Sequence, residues 1–491
     1  MPKATTPSFI TQLPLKTSSY EQAILKKRFW AAQQQYNALL GEALKRLRRM
    51  RQDPNFKKAL SLYKHKETKT QARALFKQLA QHHAYREYDL YGYCKQWNKN
   101  SWLAIGSHIS QKLAKRAFQA VEQYRVGKRG KPRFKGYRGL NSIEDNSIES
   151  ALRLKAGTIH YKGLQLPLRY NAKDPIHHHG LDSPVKYIRL VRRTFNGKQR
   201  YFAQLINQGN PWVKSKNLPQ KGLVGLDIGP QTIAAVFADK KQASLHLFAD
   251  ELKQQKNLKK RLQRKLARQL RAANPNCYQP DQWRKKDKHP HLKKGPSIKG
   301  KRLKNRPKAL QKTSARLADI SRRQAAYRKT AHGQLANQIL RQGNHIKTEK
   351  LSYKAFQKNF GSSVSLRAPG TFVQLLKRKA ESAGGKVEEI NTYKTALSQT
   401  CQCGAKVKKP LSQRWHSCPC GVHAQRDLYS AYLACFVENN QLIASQAQAA
   451  WQGIDIALSA AMSTLKGSSS RAMPASLGLG QGQRASHSPS P

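Results

Sequence analysis

Two cysteine pairs, Cys401-Gln402-Cys403-Gly404 and Cys418-Pro419-Cys420-Gly421, stand on either side of a short stretch, with fourteen residues from Gly404 to Ser417. Four thiolates in two close pairs suit a tetrahedral Zn²⁺ ion, and pairs about a dozen residues apart close a ribbon around it. Each pair has one intervening residue where two are commoner, which tightens the chelate loop. His416 and His423 are alternative donors for one thiolate, and a metal-free ribbon is the alternative to a zinc site. A closed four-ligand site is structural, because it leaves no open position for substrate. Seven residues past the last cysteine stands an acid, Asp427, followed by the amphipathic run LYSAYLACFVEN. The total of seven cysteines is odd and four are clustered, which argues for a reducing compartment and metal rather than a disulfide framework. Cys94, Cys277 and Cys435 read as structural thiols.

An acid is conspicuous here because the chain holds 92 Lys+Arg against 26 Asp+Glu, a formal charge of +66. A field of that sign and size favours a polyanion through phosphate neutralisation and counterion release. Nucleic acid is the expected partner. A membrane-surface protein is the poorer reading, since the charge runs through the whole chain and no apolar stretch reaches the roughly 18 residues of a membrane span. The start, MPKATTPSFITQLPLK, lacks the apolar core of a signal peptide. The length of 491 residues allows two to four domains.

From Tyr20 to about Arg51, Ile24, Phe29, Tyr36, Leu39, Leu40 and Leu44 recur at helical spacing between basic residues, which predicts an amphipathic helix. Helical pattern continues to the segment GKRGKPRFKG, where Lys128, Arg129, Lys131, Arg133 and Lys135 surround Pro132 and Phe134. Those five cations are candidate backbone-phosphate contacts; an exposed basic loop without a specific role is the alternative. Beyond about Ala151 short alternating runs predict a small β module to about residue 212, with a hairpin at Asn196-Gly197. The His177-His178-His179 run reads as a solvated loop rather than a metal site. Two further strands, Leu223 to Ile228 and Ile233 to Ala238, flank Gly229-Pro230. Leu258, Leu262, Leu266 and Leu270 then mark a cationic helix, residues 274–307 read as a mobile Pro/Gly/Lys-rich connector, and a long helix runs from about Lys308 to Arg341. The end, from KGSSSRAMPAS onward, is low in complexity and expected to be disordered.

Three acids fall where a layered α/β fold can gather them: Asp227 inside an apolar strand, Glu349 in NHIKTEKLSY, and Asp427 at a helix start. An unpaired carboxylate on an apolar strand costs several kcal/mol, so it calls for a metal or a buried arginine. Hard Mg²⁺ ions take carboxylate oxygens, and a pair about 3.5–4 Å apart activates a water and stabilises the leaving 3′ oxygen of a phosphodiester. Taken singly, each acid could instead be an ordinary salt-bridged residue, Glu349 above all, with Lys347 and Lys350 beside it.

The order GLDIG, basic helical insertion, IKTEKLSY, then LSQTCQCG…CPCGVHAQRD resembles the RuvC-type nuclease half of TnpB, the RNA-guided endonuclease of insertion-sequence transposons and a relative of type V CRISPR effectors. Tyr36-Asn37-Ala38-Leu39 and Gly130-Lys131-Pro132-Arg133-Phe134-Lys135 are similar to that family's recognition-lobe helix and its G-x-P-x-F-K segment. The resemblance covers about residues 10–445. It departs from the family pattern in the Cys-x-Cys spacing and in Tyr429, where many members carry asparagine two residues after the acid.

The resemblance implies an α+β multidomain, bilobed protein. A β-barrel-like wedge domain would comprise 1–18 and 151–218, with a helical recognition domain, 19–150, inserted. An RNase H-like (RuvC) α/β domain, 219–395 and 425–450, would be interrupted by a zinc-ribbon target-nucleic-acid-binding insert, 396–424, and followed by a mostly disordered tail, 451–491. Asp227, Glu349 and Asp427 match the family's catalytic acids, which bind Mg²⁺; Cys401, Cys403, Cys418 and Cys420 would hold structural Zn²⁺. The implied activity is two-metal hydrolysis of double-stranded DNA beside a short protein-read motif, guided by a transposon-end RNA, in a prokaryotic cytoplasm and on the nucleoid when DNA-bound. A compact type V CRISPR effector and a nuclease-impaired, RNA-guided repressor are the alternatives. A tyrosine transposase lacks its His-hydrophobic-His motif here, and an architectural protein leaves the ordered acids unexplained. The oligomeric state is not legible.

Overall fold

The computed structural model describes residues 6–99, 105–136, 139–249, 252, 256–286, 289–301, 303–410 and 413–467. The chain is a mixed α+β multidomain protein that divides into two compact units, 1–212 and 213–491. In the first, β1 (Ser8–Pro14) leads into the long helix α1 (Ser19–Gln52), which starts at a reciprocal capping box between Ser18 and Glu21. Of the predicted apolar positions Phe29, Tyr36, Leu39 and Leu40 are buried and Ile24 and Leu44 half-buried, and Leu25, Leu47 and Met50 complete the buried stripe. Helices α2 (Pro54–Tyr63), α4 (Asp89–Lys99) and α5 (Ser107–Arg125) pack on α1, and α3 (Lys69–His82) packs on α2. Next come β2 (Ser142–Glu144), the meander β3 (Leu152–Lys155), β4 (Thr158–Tyr161) and β5 (Leu164–Pro167), and helix α6 (Pro175–Asp182). The unit closes with β6 (Val185–Phe195) and β7 (Lys198–Gln208), joined by Asn196 and Gly197, both at positive φ. One sheet has the antiparallel order β1-β7-β6-β2; the other is β3-β4-β5, and a bridge between Leu15 and Leu168 links them over one core.

The second unit is built on a five-stranded sheet in the order β10-β9-β8-β13-β14. Its strands are β8 (Leu223–Ile228), β9 (Thr232–Phe237), β10 (Gln242–Leu247), β13 (His345–Glu349) and β14 (Lys386–Ile390). The first three form an antiparallel meander, while β8, β13 and β14 run parallel. Between β10 and β13 lie α7 (Lys256–Ala273), the ribbon β11 (Gln282–Lys286) and β12 (His289–Lys293), and α8 (Lys308–Leu340). Between β13 and β14 lie α9 (Tyr353–Arg367) and α10 (Pro369–Ser382). After β14 follow α11 (Thr392–Thr395), β15 (Trp415–Ser417), β16 (His423–Gln425), α12 (Arg426–Cys435), β17 (Val437–Glu438), β18 (Gln441–Leu442), α13 (Ala444–Ala449) and α14 (Ile454–Gly467).

Strand alternation sorts this sheet into two faces. Val224, Leu226, Ile228, Ile233 and Ile346 pack with Leu335 and Ile339 of α8 and with Phe372 and Leu376 of α10. Ala234, Val236 and Leu245 pack with Leu428, Ala431 and Tyr432 of α12 and with Leu458 and Met462 of α14. The result is a helix–sheet–helix sandwich, which buries both faces of this mixed sheet.

Three expectations are corrected. The His177 run is not a loop but part of α6, started by the Asp174 cap and Pro175 at its first turn. Its rings engage separate partners: His177 accepts from the Asn171 backbone, His178 meets the Ala172 carbonyl, and His179 meets the Asn210 carbonyl and stacks on Phe9. The connector at 274–307 contains the paired ribbon β11–β12. The stretch from 451, read as mostly disordered tail, begins with α14, whose Ile454, Leu458, Ala461 and Met462 are buried core. The remainder of that tail, 468–491, lies outside the described residues.

Candidate active site

The same alternation aims two of the predicted acids. Strands β8 and β13 are in parallel register with Leu226 opposite Thr348, so Asp227 and Glu349 follow one step later at the carboxyl ends of neighbouring strands. Both share a face with Gly225 and Lys347, and that is the face α12 covers. Gly225 is what lets the helix in: a Cβ there would sit 1.9 Å from the Ala431 carbonyl oxygen. Lys347 fixes the far end of α12, its buried Nζ donating to the Cys435 and Val437 carbonyls at 3.1 and 2.7 Å. At the near end, Gln425 caps the helix by accepting from the Leu428 N–H, which places Asp427 in the first turn. A carboxylate in that position is favoured by the helix dipole.

The electrostatics record the convergence. Asp227 is pushed well above the usual aspartate range, first by burial and then by the charges of Asp427 and Glu349. Asp427 is also raised by burial, against the pull of the Arg426 and Arg414 guanidiniums. Glu349 is raised by burial, with a hydrogen bond from the Leu397 backbone partly offsetting it. Three buried carboxyls, two of which raise the proton affinity of the third, form a site that attracts cations. Arg426 is a poor match: it stands 3.9 Å from Asp427 and spends its guanidinium on the Pro410 and Gln413 carbonyls. Glu349 Oε1 is buried without a hydrogen-bond partner. An all-oxygen donor set with an unsatisfied buried carboxylate oxygen fits hard divalent ions. Among the described residues these acids are less tightly drawn together than the cysteine thiols, whose ligand atoms all lie within 4.8 Å of one another.

Those thiols belong to two knuckles of one design. In each, the first cysteine's N–H reaches across the turn, Cys401 to the Ala405 carbonyl and Cys418 to that of Val422. The closing glycine N–H returns to the first cysteine's carbonyl, and Gly404 and Gly421 adopt φ of 88° and 89°. The one-residue spacing is therefore accommodated by glycine in the left-handed region. Cross-pairs Cys401–Cys420 and Cys403–Cys418 lie 3.5 and 3.6 Å apart. Ligands about 2.3 Å from a tetrahedral Zn²⁺ would stand about 3.8 Å apart, so the four sulfurs fit the ion with little movement. Cys418 is pulled down to about 7, chiefly by the Cys420 backbone N–H, while burial pushes Cys401 up to about 12. Neither His416, stacked on Tyr429, nor His423, stacked on Trp415, joins the cluster. Tyr429 links ribbon and helix: its hydroxyl accepts from the Gln402 N–H at 2.9 Å and meets Cys401 Sγ at 3.4 Å. A second set of close ligand atoms, Asp53, His82 and His83, is accounted for by capping, since Asp53 starts α2 and pairs with His83.

In the first unit, the two segments that carry the recognition-lobe resemblance meet. Asn37 holds Lys135 by both backbone groups, donating to its carbonyl at 2.9 Å and accepting from its N–H at 2.8 Å, and Phe134 lies against Gly41. Lys128, Arg129, Lys131 and Arg133 are exposed, and Lys135 is half-buried over the Tyr36 ring. Asn37 is a positioning residue that composition alone did not single out.

Residues 370–433 match the family model described as Cas12f1-like, TNB domain. Among solved structures, a cryo-EM structure of the Cas12f1–sgRNA–target DNA complex is similar at 12% identity over 88% of this chain and 98% of that one, with a TM-score of 0.44. A CRISPR-Cas12f ternary complex is similar at 11% identity over 86% and 82%, with a TM-score of 0.29. No curated protein matches the chain. Among the described residues, no helix is long and apolar enough to cross a membrane.

Proposed function

We propose that this protein is an RNA-guided DNA endonuclease of the transposon-encoded TnpB type, with Asp227, Glu349 and Asp427 as its catalytic acids. The observation that carries the reading is the convergence of two strand-end acids and a helix-start acid on one sheet face beneath α12. The meander-then-parallel strand order supports the RNase H-like reading, and the segment that matches the TNB model, 370–433, includes the third acid. The three carboxylates would hold two Mg²⁺ ions, which when bound supply an activated water and a stabilised leaving oxygen. The chain's own residues fix Asp227 and Glu349 on strands and Asp427 on α12, neutralise nearby charge through Arg414 and Arg426, and tie α12 to the ribbon through Tyr429. Guide RNA and target DNA fit the +66 charge, with Lys128, Arg129, Lys131, Arg133 and Lys135 on phosphates.

The name of the matching TNB model also favours a second reading, a compact type V CRISPR effector. One experiment separates them. Protein purified with its co-expressed RNA is challenged with a target library flanked by random bases, and the RNA is sequenced. RNA from a transposon end with Mg²⁺-dependent cleavage supports the first reading, and RNA from a CRISPR array supports the second. Cleavage that survives Asp227→Ala removes both.

A further inference from the structure

The ribbon in segment 274–307 plays no part in the catalytic reading. Strands β11 and β12 pair from Gln282 opposite Lys293 to Lys286 opposite His289. Their base is clamped. Asp281 accepts from the Gly295 N–H at 2.9 Å, from Lys294 at 2.7 Å and from Arg271 of α7 at 3.3 Å. Arg271 also donates to the Gly295 carbonyl and covers the Tyr278 ring. Gly295 passes so close to the other leg that a Cβ would lie 1.9 Å from the Gln279 carbonyl oxygen. Below it Asn274 and Asn305 exchange two hydrogen bonds.

One ladder step above this clamp stands Trp283, 72% exposed, opposite Leu292. A tryptophan so exposed on an anchored strand contributes little to the fold, which calls for another occupant of its ring faces. Charge selects the occupant: residues 282–294 carry six Lys or Arg and one acid, Asp287. An aromatic face among cations matches a base with its phosphates. A duplex hides its base faces, so the base must be unpaired.

We propose that the β11–β12 ribbon is a binding site for single-stranded nucleic acid, with Trp283 stacking on an unpaired base and the exposed Lys293, one ladder step from it, meeting the backbone. The inference rests on the nucleic-acid-binding part of the function proposed above and is independent of cleavage. The test uses full-length Asp227→Ala protein and three fluorescent probes: a single strand, the matching duplex, and the same strand with abasic sites. Trp283→Ala should weaken the single strand by about 5- to 150-fold. It should change the duplex and abasic strand by less than about twofold, with the salt slope unaltered because no charge is removed. Trp283→Phe should restore most of the loss, and a 5-bromouracil strand should photocross-link to the Trp283 peptide of the unsubstituted chain. An unchanged single-strand affinity with cross-links only elsewhere, or an equal loss for all three probes, overturns the ribbon site alone. Failure of the unsubstituted chain to bind any probe overturns the nucleic-acid reading with it.

Discussion

Asp227 is held where folding disfavours its charge. An exposed aspartate titrates near 3.8, and the folded carboxyl holds its proton well above that. From about pH 3.8 upward the native chain therefore binds more protons at Asp227 than the unfolded one does. This group's contribution to the metal-free fold becomes less favourable as pH rises through that window, until the folded carboxyl ionises too. Asp227→Asn removes the penalty. We expect it to raise the thermal midpoint of metal-free protein at pH 7, to abolish any rise on adding Mg²⁺, and to lower cleavage by more than about a hundredfold, beyond the loss typical of outer-shell partners. Scanning calorimetry across pH, with and without Mg²⁺, checks the first two; a lower midpoint would mean the acid is paired. Asp227 was legible as a carboxylate inside an apolar run. Glu349 was not legible alone, because Lys347 beside it resembles a surface partner in sequence but is buried and serves the end of α12.

Among elements, α12 is the part that joins ribbon and sheet, and two contacts set its place. Gly225→Ala would drive a methyl into the Ala431 carbonyl, moving the helix off β8 and Asp427 away from Asp227. The expected outcome is a protein with its ribbon intact, measured as full zinc content, and cleavage near background. Tyr429→Phe acts at the other side. It leaves the buried Gln402 N–H without an acceptor, a loss of about 1–3 kcal/mol, and should speed zinc release to a chelator. Unchanged release would show the hydroxyl to be dispensable. The sequence pattern pointed to a missing asparagine at this position, whereas the contact it makes explains the tyrosine. Hairpin β6–β7 was legible from Asn196-Gly197. Ribbon β11–β12 was not, since Asp287-Lys288 between its strands carries no hairpin signal. Helix α14 was legible in principle, because Ile454, Leu458, Ala461 and Met462 recur at i, i+4, i+7 and i+8; the low-complexity tail masked it. Truncation after Trp451 should therefore lower the thermal midpoint sharply by exposing Leu245.

Across the whole molecule, salt should act with opposite sign on folding and on binding. A chain of charge +66 repels itself when compact, so screening favours the native state. Binding a polyanion is driven by counterion release, which salt opposes; six to ten phosphate contacts give a slope of log K against log salt of about −5 to −9 for duplex DNA. Thermal midpoint of the free protein should thus rise between 50 and 200 mM salt while DNA affinity falls by about 10³ or more. Measuring both on one preparation separates electrostatic from specific effects. A flat binding slope would mean that the basic surface does not meet phosphate. A midpoint that falls with salt would mean that attractive ion pairs, such as Arg189–Glu144 and Arg322–Asp319, outweigh the net repulsion. Adding heparin at low salt distinguishes these further, since a polyanion relieves repulsion without raising ionic strength and should lift the midpoint by itself.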